Sequence, residues 1–378
     1  MAAPVAAPPR AAARDGDGDP PEPRRGSGAG PAGPAVPPAA PPAASRYAAN
    51  IDDIRAAAAR LAGHAHVTPV LTCSSIDKLA GRSLFFKCEV FQKGGAFKFR
   101  GAFNSVSLLS DEAARRGVAT HSSGNHAAAL ALAAQLRGIP AHIVVPRDAP
   151  ACKVDAARGY GGRVVLCDPT MAAREAACAE IVAATGATFV PPYDHGPVIA
   201  GQGTIALELL EQVPDLDAIV VPVSGGGMIS GIALAAKSIN PRCLVLAAEP
   251  RGANDAADAA ASKARGERVC DAPKPETIAD GLQARLGELT WPVIRDLVDE
   301  VITVSDDEIV DAMRLIMTRM KVVVEPSGAA GLAAALSPAF AASSPRAAAA
   351  RRVGVILCGG NLDFDARRFW EGWAPAAL

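Results

Sequence analysis

Short apolar runs alternate with longer alanine-rich segments along most of the chain, and this alternation predicts strands that are each followed by a helix. Repeated units of this kind form mostly parallel sheets, and strands that are apolar throughout are covered by helices on both faces. Eight units exceed the size of one ordinary domain, so the pattern predicts an α/β fold with two domains. The predicted strands are Leu84–Cys88, Val118–His121, His142–Val145, Val164–Cys167, Thr188–Val190, Ala218–Val221, Leu244–Ala247 and Val353–Cys358.

The folded part is expected to begin near Tyr47, because the first helix signal follows at once. Asn50 is a suitable N-cap, and the helix is predicted from Ile51 to about Leu61. Residues 1–45 differ in composition, since 32 of these 45 residues are alanine, proline or glycine. Such a segment cannot bury enough apolar surface to fold, so it is predicted to be a disordered tail.

Charge and cysteine usage narrow the class of protein. A net charge of −1 gives no basic surface for nucleic acid, and no run of about 18 apolar residues predicts a membrane span. The eight cysteines include no Cys-x-x-Cys pair, which argues against a zinc knuckle or a redox pair and favours a reducing compartment. The tail has no apolar signal region and carries four acids, so a cytoplasmic enzyme of small-molecule chemistry is expected.

Three consecutive glycines, Gly225, Gly226 and Gly227, follow the predicted strand that starts at Ala218 and precede a helix that begins near Met228. Backbone N–H groups can converge on an anion at such a turn, beside the positive end of a helix. The sequence lacks the Gly-Lys-Ser/Thr ending of a nucleotide triphosphate loop. A dinucleotide-binding fingerprint that starts at Gly225 would need glycine or alanine at position 230, where this chain has Ser230. We therefore expect a phosphate of another kind, with a plain strand-to-helix connection as the alternative.

Lys98 lies between two phenylalanines, Phe97 and Phe99, after a pair of glycines. An apolar, partly desolvated setting lowers the pKa of a lysine and makes its amine nucleophilic, as Schiff-base chemistry requires. The alternative is a lysine whose stem is half-buried while its charge reaches water.

A second polar loop, residues 121–126, ends another predicted strand just before a helix. Ser122, Ser123 and Asn125 could hold a carboxylate at the helix start, although a single such residue would suffice for ordinary N-capping. His121 and His126 lie on either side of the turn rather than on one helix face, so a metal site is not expected between them.

Four motifs follow one another along the chain, namely Gly95–Gly101, Ser122–His126, Ser224–Met228 and Cys358–Asn361. In this order and spacing they resemble the motifs of the fold type II pyridoxal-phosphate enzymes of the serine racemase and serine/threonine dehydratase family. The resemblance extends from about Ile51 to Asp363, and three further stretches, Ala200–Glu208, Pro275–Gly281 and Thr290–Asp299, resemble the racemase branch. It implies a tryptophan synthase β-like fold with a large domain of residues 46–116 and 196–378 and a small mobile domain of residues 117–195.

The resemblance assigns the cofactor, pyridoxal 5′-phosphate, to these motifs. Lys98 would bind it covalently, Phe97 would pack on its ring, and Asn125 would hydrogen-bond its 3′-oxygen. Cys358 would face the pyridine nitrogen, where a neutral thiol makes the ring a weaker electron acceptor; the alternative role is a small buried apolar residue. The phosphate would be held by Ser224, Gly225, Gly226, Gly227 and Met228.

The resemblance also implies the reaction, which is racemisation of serine with some dehydration to pyruvate and ammonia. Lys98 would take the α-proton on one face of the substrate and Ser123 would return one on the other. Ser122, Asn125 and His126 would bind the substrate carboxylate, and Arg174 would close over it, unless it lies on a solvated helix face. The alternatives are a dehydratase for threonine or 3-hydroxyaspartate, a catalytically silent relative that senses ligands, and, more distantly, a NAD-dependent dehydrogenase.

A divalent cation and a homodimer complete the expectations from the family. Glu249, Asp255 and the carbonyl of Ala253 resemble a racemase loop that binds Mg²⁺ or Ca²⁺, with Mn²⁺ as a third candidate. Ala127 and Ala128 replace a Gly-Gln pair that contributes to the activating ATP site of mammalian-type racemases, and an asparagine of that site is replaced near Tyr193. ATP stimulation is therefore not expected.

Overall fold

The computed structural model describes residues 46–122, 124–149 and 151–364. Ser123 and the predicted tail of residues 1–45 lie outside the described residues. The strands are β1 Val70–Leu71, β2 Ser83–Lys87, β3 Val118–His121, β4 Ala141–Pro146, β5 Arg163–Cys167, β6 Thr188–Phe189, β7 Ala218–Pro222, β8 Leu244–Pro250, β9 Glu300–Val304 and β10 Arg352–Ile356.

Fifteen α-helices lie between and around these strands in the part of the chain that the structure describes. Three short 3-10 turns cover Glu89–Phe91, Lys93–Gly95 and Asp280–Leu282, and a π-helical turn covers Ile316–Met320. The helices are α1 Ile51–Leu61, α2 Ser74–Ala80, α3 Lys98–Ser107, α4 Asp111–Arg116, α5 Asn125–Arg137, α6 Ala151–Gly159, α7 Met171–Thr185, α8 Gly196–Gln212, α9 Gly227–Ile239, α10 Asp258–Arg265, α11 Trp291–Leu297, α12 Asp306–Leu315, α13 Pro326–Leu336, α14 Pro338–Ser343 and α15 Pro345–Ala349.

The first helix begins where the sequence predicts. The Asn50 side chain accepts hydrogen bonds from the N–H groups of Asp52 and Asp53, and the Asp53 carboxylate accepts one from the Asn50 N–H. This capping box satisfies donors that no turn of the helix can reach. The buried Ile54, Ala57 and Leu61 form the inward stripe of the helix.

Two sheets carry the fold. The larger sheet has the order β1-β2-β10-β7-β8-β9 and is parallel except for β1, which pairs antiparallel with β2. The smaller sheet has the order β5-β4-β3-β6 and is parallel throughout. The prediction of an α/β fold with mostly parallel sheets is confirmed. The smaller sheet falls inside residues 117–195, but the domain boundaries remain a prediction.

The large sheet is buried on both faces, which explains its apolar strands. Along β7, Ile219 and Val221 belong to a core cluster that includes α8 and α9. Ala218 and Val220 point the other way, into a cluster with α12 and α13. Because successive side chains of a strand face opposite sides, a strand with two covered faces must be apolar at every position.

All eight predicted strands overlap an observed strand, and two observed strands have no predicted counterpart. β1 has only two residues, too few for a recognisable pattern, and β9 opens with an acid, Glu300. Among the described residues, no helix is long and apolar enough to cross a membrane.

Candidate functional site

The predicted site motifs follow the carboxyl ends of neighbouring strands. The glycine turn follows β7, Cys358 follows the adjacent β10, and the segment that leads to Lys98 follows β2 on the other side of β10. Ser122 follows β3 of the smaller sheet. Ligands of parallel α/β sheets bind at the carboxyl ends of the strands. The motif of the smaller sheet meets the others because Asn361 Nδ2 donates to Asn125 Oδ1 at 2.9 Å.

The glycine turn opens α9, a helix of 13 residues. Gly226 has a φ of 91°, in the left-handed region that favours glycine. The first N–H groups of the helix, from Gly227 onward, have no acceptor within the helix, and the helix dipole is positive there. The Ser224 hydroxyl donates a hydrogen bond to the Ala284 carbonyl and accepts one from the Ala284 N–H. The turn is thus built for an anion.

Lys98 opens α3, and its amine donates a hydrogen bond of 2.8 Å to the Pro192 carbonyl. The Nζ atom also lies 5.0 Å from the centre of the Phe97 ring. The residue is half-buried, but protein atoms surround its amine densely, and this desolvation lowers the pKa of Lys98 from 10.5 to about 8. Cys358 and Glu325 oppose the shift only partly. The predicted nucleophilic lysine therefore has the setting that its chemistry needs.

A buried ion network anchors the start of α3. Arg100, 1% exposed, donates to both oxygens of Glu89 at 2.8 Å and to both oxygens of Glu208. Lys87 joins the network through Glu208 at 2.6 Å. Because these charges are paired and hydrogen-bonded, they can remain buried two residues from Lys98.

The lysine turn is joined by main-chain hydrogen bonds to the loop that follows β10. The Phe97 N–H donates to the Cys358 carbonyl at 3.0 Å, and the Gly360 N–H donates to the Gly95 carbonyl at 2.9 Å. An isolated antiparallel bridge pairs Ala96 with Gly359 between them. Lys98 and Cys358 are therefore held in a fixed relation.

Cys358 is buried, with an exposure of 3%, and its thiol donates to the Ser327 carbonyl at 3.4 Å. Burial strongly raises the pKa of the thiol, and the Glu325 carboxylate adds to the effect. The thiol is therefore neutral at any physiological pH.

The Asn125 amide is oriented by two partners. Its Nδ2 donates to Glu325 Oε1 at 2.7 Å, and its Oδ1 accepts from Asn361 Nδ2 at 2.9 Å. Asn361 Nδ2 also donates to the Gly94 carbonyl. With its oxygen engaged, Asn125 has one N–H left to offer a ligand.

Glu325 and Lys153 were not predicted as site residues. Glu325 is 2% exposed, and burial raises the pKa of its carboxyl group. Lys153 Nζ lies 3.5 Å from Glu325 Oε2 and also pairs with Asp280, so the pKa of Lys153 is raised by these two carboxylates despite burial. In the sequence, Glu325 stands directly before Pro326, which opens the apolar helix α13. This pattern is typical of an ordinary helix start and does not indicate a site residue.

The residues predicted to bind the substrate carboxylate fall into three groups. Ser122 accepts the Gly124 N–H, and Asn125 stands at the start of α5. The His126 ring is buried against the Val190 carbonyl at 3.0 Å, and burial lowers its pKa to about 3, so the ring is neutral, while the main-chain N–H of His126 is placed at the helix start for a ligand. Ser123 lies outside the described residues.

Arg174 lies in the first turn of α7, and its Nε is buried without a hydrogen-bond partner among the described residues. A buried guanidinium nitrogen with no partner calls for an anion or a water molecule. The alternative, a solvated helix face, remains a prediction, since Arg174 as a whole is only half-buried.

Glu249 ends β8, and its two oxygens accept the N–H groups of Ala259 and Ala260 at 2.8 Å each. Burial and the neighbouring Asp258 carboxylate raise the pKa of Glu249 to about 8. Asp255 has a left-handed φ of 52°. The described residues hold no group of three or more histidine, cysteine or acidic side chains that could bind a metal, so a cation here would rely on carbonyl and water ligands as well.

The arrangement fits pyridoxal phosphate. A glycine turn with free N–H groups can hold the phosphate, a lysine with a lowered pKa can bind the aldehyde, and a neutral thiol follows the strand between them. Asn125 adds one oriented donor.

Comparisons with known proteins agree with this chemistry. The family model described as pyridoxal-phosphate dependent enzyme matches residues 61–359. The chain is similar to serine racemase of Oryza sativa subsp. indica, with 56% identity over 325 residues that cover 86% of this chain and 94% of the rice protein. It is also similar to beta-hydroxyaspartate dehydratase of Paracoccus denitrificans, with 49% identity over 319 residues that cover 84% of this chain and 98% of that protein.

Among solved structures, the chain is similar to maize serine racemase, with a TM-score of 0.82 and 55% identity. The match covers 86% of this chain and 97% of the maize chain. The similarity thus extends over nearly the whole length of these relatives.

Proposed function

The chain belongs to the family of pyridoxal-phosphate dependent enzymes, and we propose that it interconverts L- and D-serine and also dehydrates serine to pyruvate and ammonia. The observation that carries the proposal is the Lys98 amine, whose pKa is near 8, held at the strand edge that also carries the glycine turn and Cys358. The 56% identity to a serine racemase supports serine as the substrate.

Lys98 is proposed to act as the base on one face of the substrate. Pyridoxal phosphate, when bound, supplies an aldehyde for amines and a ring that accepts the electron pair left at the α-carbon. A lysine with a pKa near 8 is neutral often enough at neutral pH to take the α-proton, and it remains a competent acid to return it.

Ser123 is proposed to act from the opposite face. Return of a proton from Ser123 would give the other enantiomer, whereas departure of the β-hydroxyl before that step would give pyruvate and ammonia. A serine hydroxyl is a weak acid unless its surroundings tune it, so dehydration is expected to accompany racemisation.

Cys358 and Asn125 are proposed to set the electron demand of the ring. A neutral thiol that already donates to Ser327 cannot keep a ring nitrogen protonated as a carboxylate would. The free N–H of Asn125 would stabilise negative charge on the 3′-oxygen.

The substrate carboxylate is proposed to lie at the start of α5, with Arg174 closing over it. The N–H groups of Asn125 and His126 open this helix of 13 residues and have no acceptor within it. The buried Nε of Arg174, which has no hydrogen-bond partner in the part of the chain that the structure describes, supports a role in binding an anion.

A homodimer is also proposed. Val67, Phe91 and Val323 are apolar residues that are 72%, 47% and 45% exposed, and exposed apolar side chains favour a second copy of the chain as their cover. The His66 ring contacts the Phe91 carbonyl beside Val67, so at least two of these residues are neighbours.

A divalent cation at Glu249, Asp255 and the Ala253 carbonyl remains part of the proposal. The raised pKa of Glu249 supports it, since a nearby cation would stabilise the ionised form of this carboxyl group.

A cytoplasmic location is likewise proposed, supported by eight cysteines that are all free.

A second candidate function is dehydration of 3-hydroxyaspartate or threonine. The 49% identity to the Paracoccus dehydratase favours it, because that value is close to the identity with the racemases. Relative kcat/KM for L-serine, L-threonine and 3-hydroxyaspartate would decide between the two functions.

The test of the main proposal is chiral analysis of the products from L-serine together with pyruvate measurement. The native protein is expected to form both D-serine and pyruvate, and Ser123→Ala is expected to lose D-serine formation while keeping part of its pyruvate formation. Unchanged D-serine formation in the variant would refute the role of Ser123, and a native protein that forms no D-serine would refute racemisation itself.

A further inference from the structure

The turn of residues 192–194 contacts both the lysine and the glycine turn. The Pro192 carbonyl accepts the Lys98 amine. A Cβ built on Gly225 would lie 2.4 Å from the Tyr193 ring, and one built on Gly227 would lie 2.9 Å from Tyr193 backbone atoms. Tyr193 therefore occupies the space that side chains would need at these two glycines.

Asp194 continues from this contact into a second turn, residues 287–290. Its Oδ1 accepts the N–H groups of Leu289 at 2.9 Å and Thr290 at 3.2 Å, and its Oδ2 accepts the N–H of Glu288 at 3.0 Å. A Cβ on Gly287 would lie 2.2 Å from Asp194 Oδ1, so the carboxylate lies directly against this turn. Three charge-assisted hydrogen bonds to consecutive N–H groups fix the conformation of residues 287–290.

Thr290 carries this constraint to the glycine turn. The Thr290 side chain is fully buried, and its hydroxyl donates to the Gly225 carbonyl at 2.7 Å. The Gly287 N–H also donates to the Gly225 carbonyl, at 3.2 Å. Because a trans peptide is planar, holding the Gly225 carbonyl on this side directs the N–H of Gly226 to the opposite side of the turn.

We propose that Asp194 is a positioning residue for the cofactor phosphate, acting through Thr290 on the orientation of the Gly225–Gly226 peptide. The inference rests on the proposed function, because it takes the anion at the glycine turn to be the phosphate of pyridoxal phosphate. The N–H of Gly226 would be aimed at the phosphate before the cofactor arrives, so its orientation costs nothing at the moment of binding.

The experiment compares two probes, pyridoxal phosphate and pyridoxal, which differ only in the phosphate. Apoprotein is prepared from the native chain and from Asp194→Ala, Asp194→Asn and Thr290→Val, and the dissociation constant of each probe is measured by absorption of the bound ring. The matched control is Asp217→Ala. Asp217 precedes β7 at its other end and accepts the N–H groups of Arg351 and Arg352, so its loss removes similar bonds away from the glycine turn.

Asp194→Ala is expected to weaken pyridoxal phosphate binding about 10- to 100-fold, the range for a lost hydrogen bond to a charged group, and pyridoxal binding less than about 3-fold. Asp194→Asn retains an oxygen that can accept the N–H groups of Leu289 and Thr290. Its dissociation constant for pyridoxal phosphate is expected to lie between those of Asp194→Ala and the native protein. Thr290→Val is expected to show the same selective loss, and Asp217→Ala no loss with either probe.

Equal weakening of both probes by Asp194→Ala and Thr290→Val would overturn the proposal, because a merely structural role does not distinguish the phosphate. Should Asp194→Ala fail to fold, Asp194→Asn and Thr290→Val carry the same comparison. A native protein that binds pyridoxal phosphate but does not racemise serine would refute the proposed function and leave this inference standing.

Discussion

The rate at which the apoprotein binds pyridoxal phosphate covalently is predicted to rise with pH to a midpoint near 8, the pKa of Lys98. Only the neutral amine attacks an aldehyde, so the rate follows the fraction of Lys98 that is unprotonated. The only variable is pH. The Lys98→Ala variant identifies the titrating group, because it is expected to show no covalent attachment of the cofactor at any pH.

The magnitude follows from the pKa. With a pKa of about 8, about one amine in eleven is neutral at pH 7, against about one in three thousand for a lysine at its ordinary 10.5. Burial of Lys98 is therefore expected to raise the rate at pH 7 about 300-fold over that of an ordinary lysine amine, with a plateau above about pH 9.

The assay mixes apoprotein with pyridoxal phosphate across the pH range and follows the visible absorption of the bound cofactor. Borohydride trapping and mass measurement then confirm that the label is on Lys98. The same reaction with Nα-acetyl-lysine, whose amine keeps an ordinary pKa, corrects for the titration of the cofactor itself.

A second variant tests the cause of the shift. The Glu325 carboxylate raises the pKa of Lys98 against the effect of burial. Removal of its charge in Glu325→Gln is expected to move the midpoint of the rate profile to lower pH.

A midpoint above about pH 9.5 in the native protein would refute the argument from desolvation, since the pKa of Lys98 would then match that of an ordinary lysine.

Two further predictions concern the buried charges. Arg100→Met leaves Glu89 and Glu208 without their shared partner and is expected to lower the free energy of unfolding by about 3–5 kcal/mol, measured by urea denaturation; a loss below about 1 kcal/mol would contradict the buried network. The pKa of Glu249 is raised to about 8 from 4.5, so the stability that this group contributes is intact below pH 4.5 and falls as pH rises towards 8. Mg²⁺ is expected to raise the melting temperature increasingly over this pH window in the native protein and in Glu112→Gln, an exposed control, but not in Glu249→Gln; an equal effect of Mg²⁺ in Glu249→Gln would place the cation elsewhere.

The fold could be predicted from the sequence because its determinants are local. A strand such as β7 is apolar at every position, so both of its faces must be covered. The alanine-rich segments between the strands are therefore predicted to be the helices that cover the sheets. β1 and β9 were missed for the opposite reason, since one is too short to show a period and the other mixes acid and apolar residues. Their pairing is decided by the neighbouring strand rather than by their own sequence.

The roles of Glu325, Lys153 and Asp194 could not be predicted because each depends on contacts between distant segments. Glu325 meets Asn125 across 200 positions, and Asp194 meets Thr290 across 96. The glycines of the turn were interpreted as room for a ligand. The structure shows that Gly225 and Gly227 also make room for Tyr193, a requirement that no local pattern contains.

The buried charges around the site explain how Lys98 can keep a lowered pKa beside a carboxylate. Glu325 is the carboxylate that acts on the Lys98 amine, and as a free counter-ion it would hold that amine protonated. Its Oε1 accepts the hydrogen bond from Asn125, and its Oε2 lies 3.5 Å from Lys153 Nζ, a cation that offsets part of its charge. Among the described residues, the hydrogen-bond acceptor of the Lys98 amine is the uncharged Pro192 carbonyl. The contacts that orient Asn125 therefore also include the cation, Lys153, that offsets part of the Glu325 charge, and burial remains the larger effect on the pKa of Lys98.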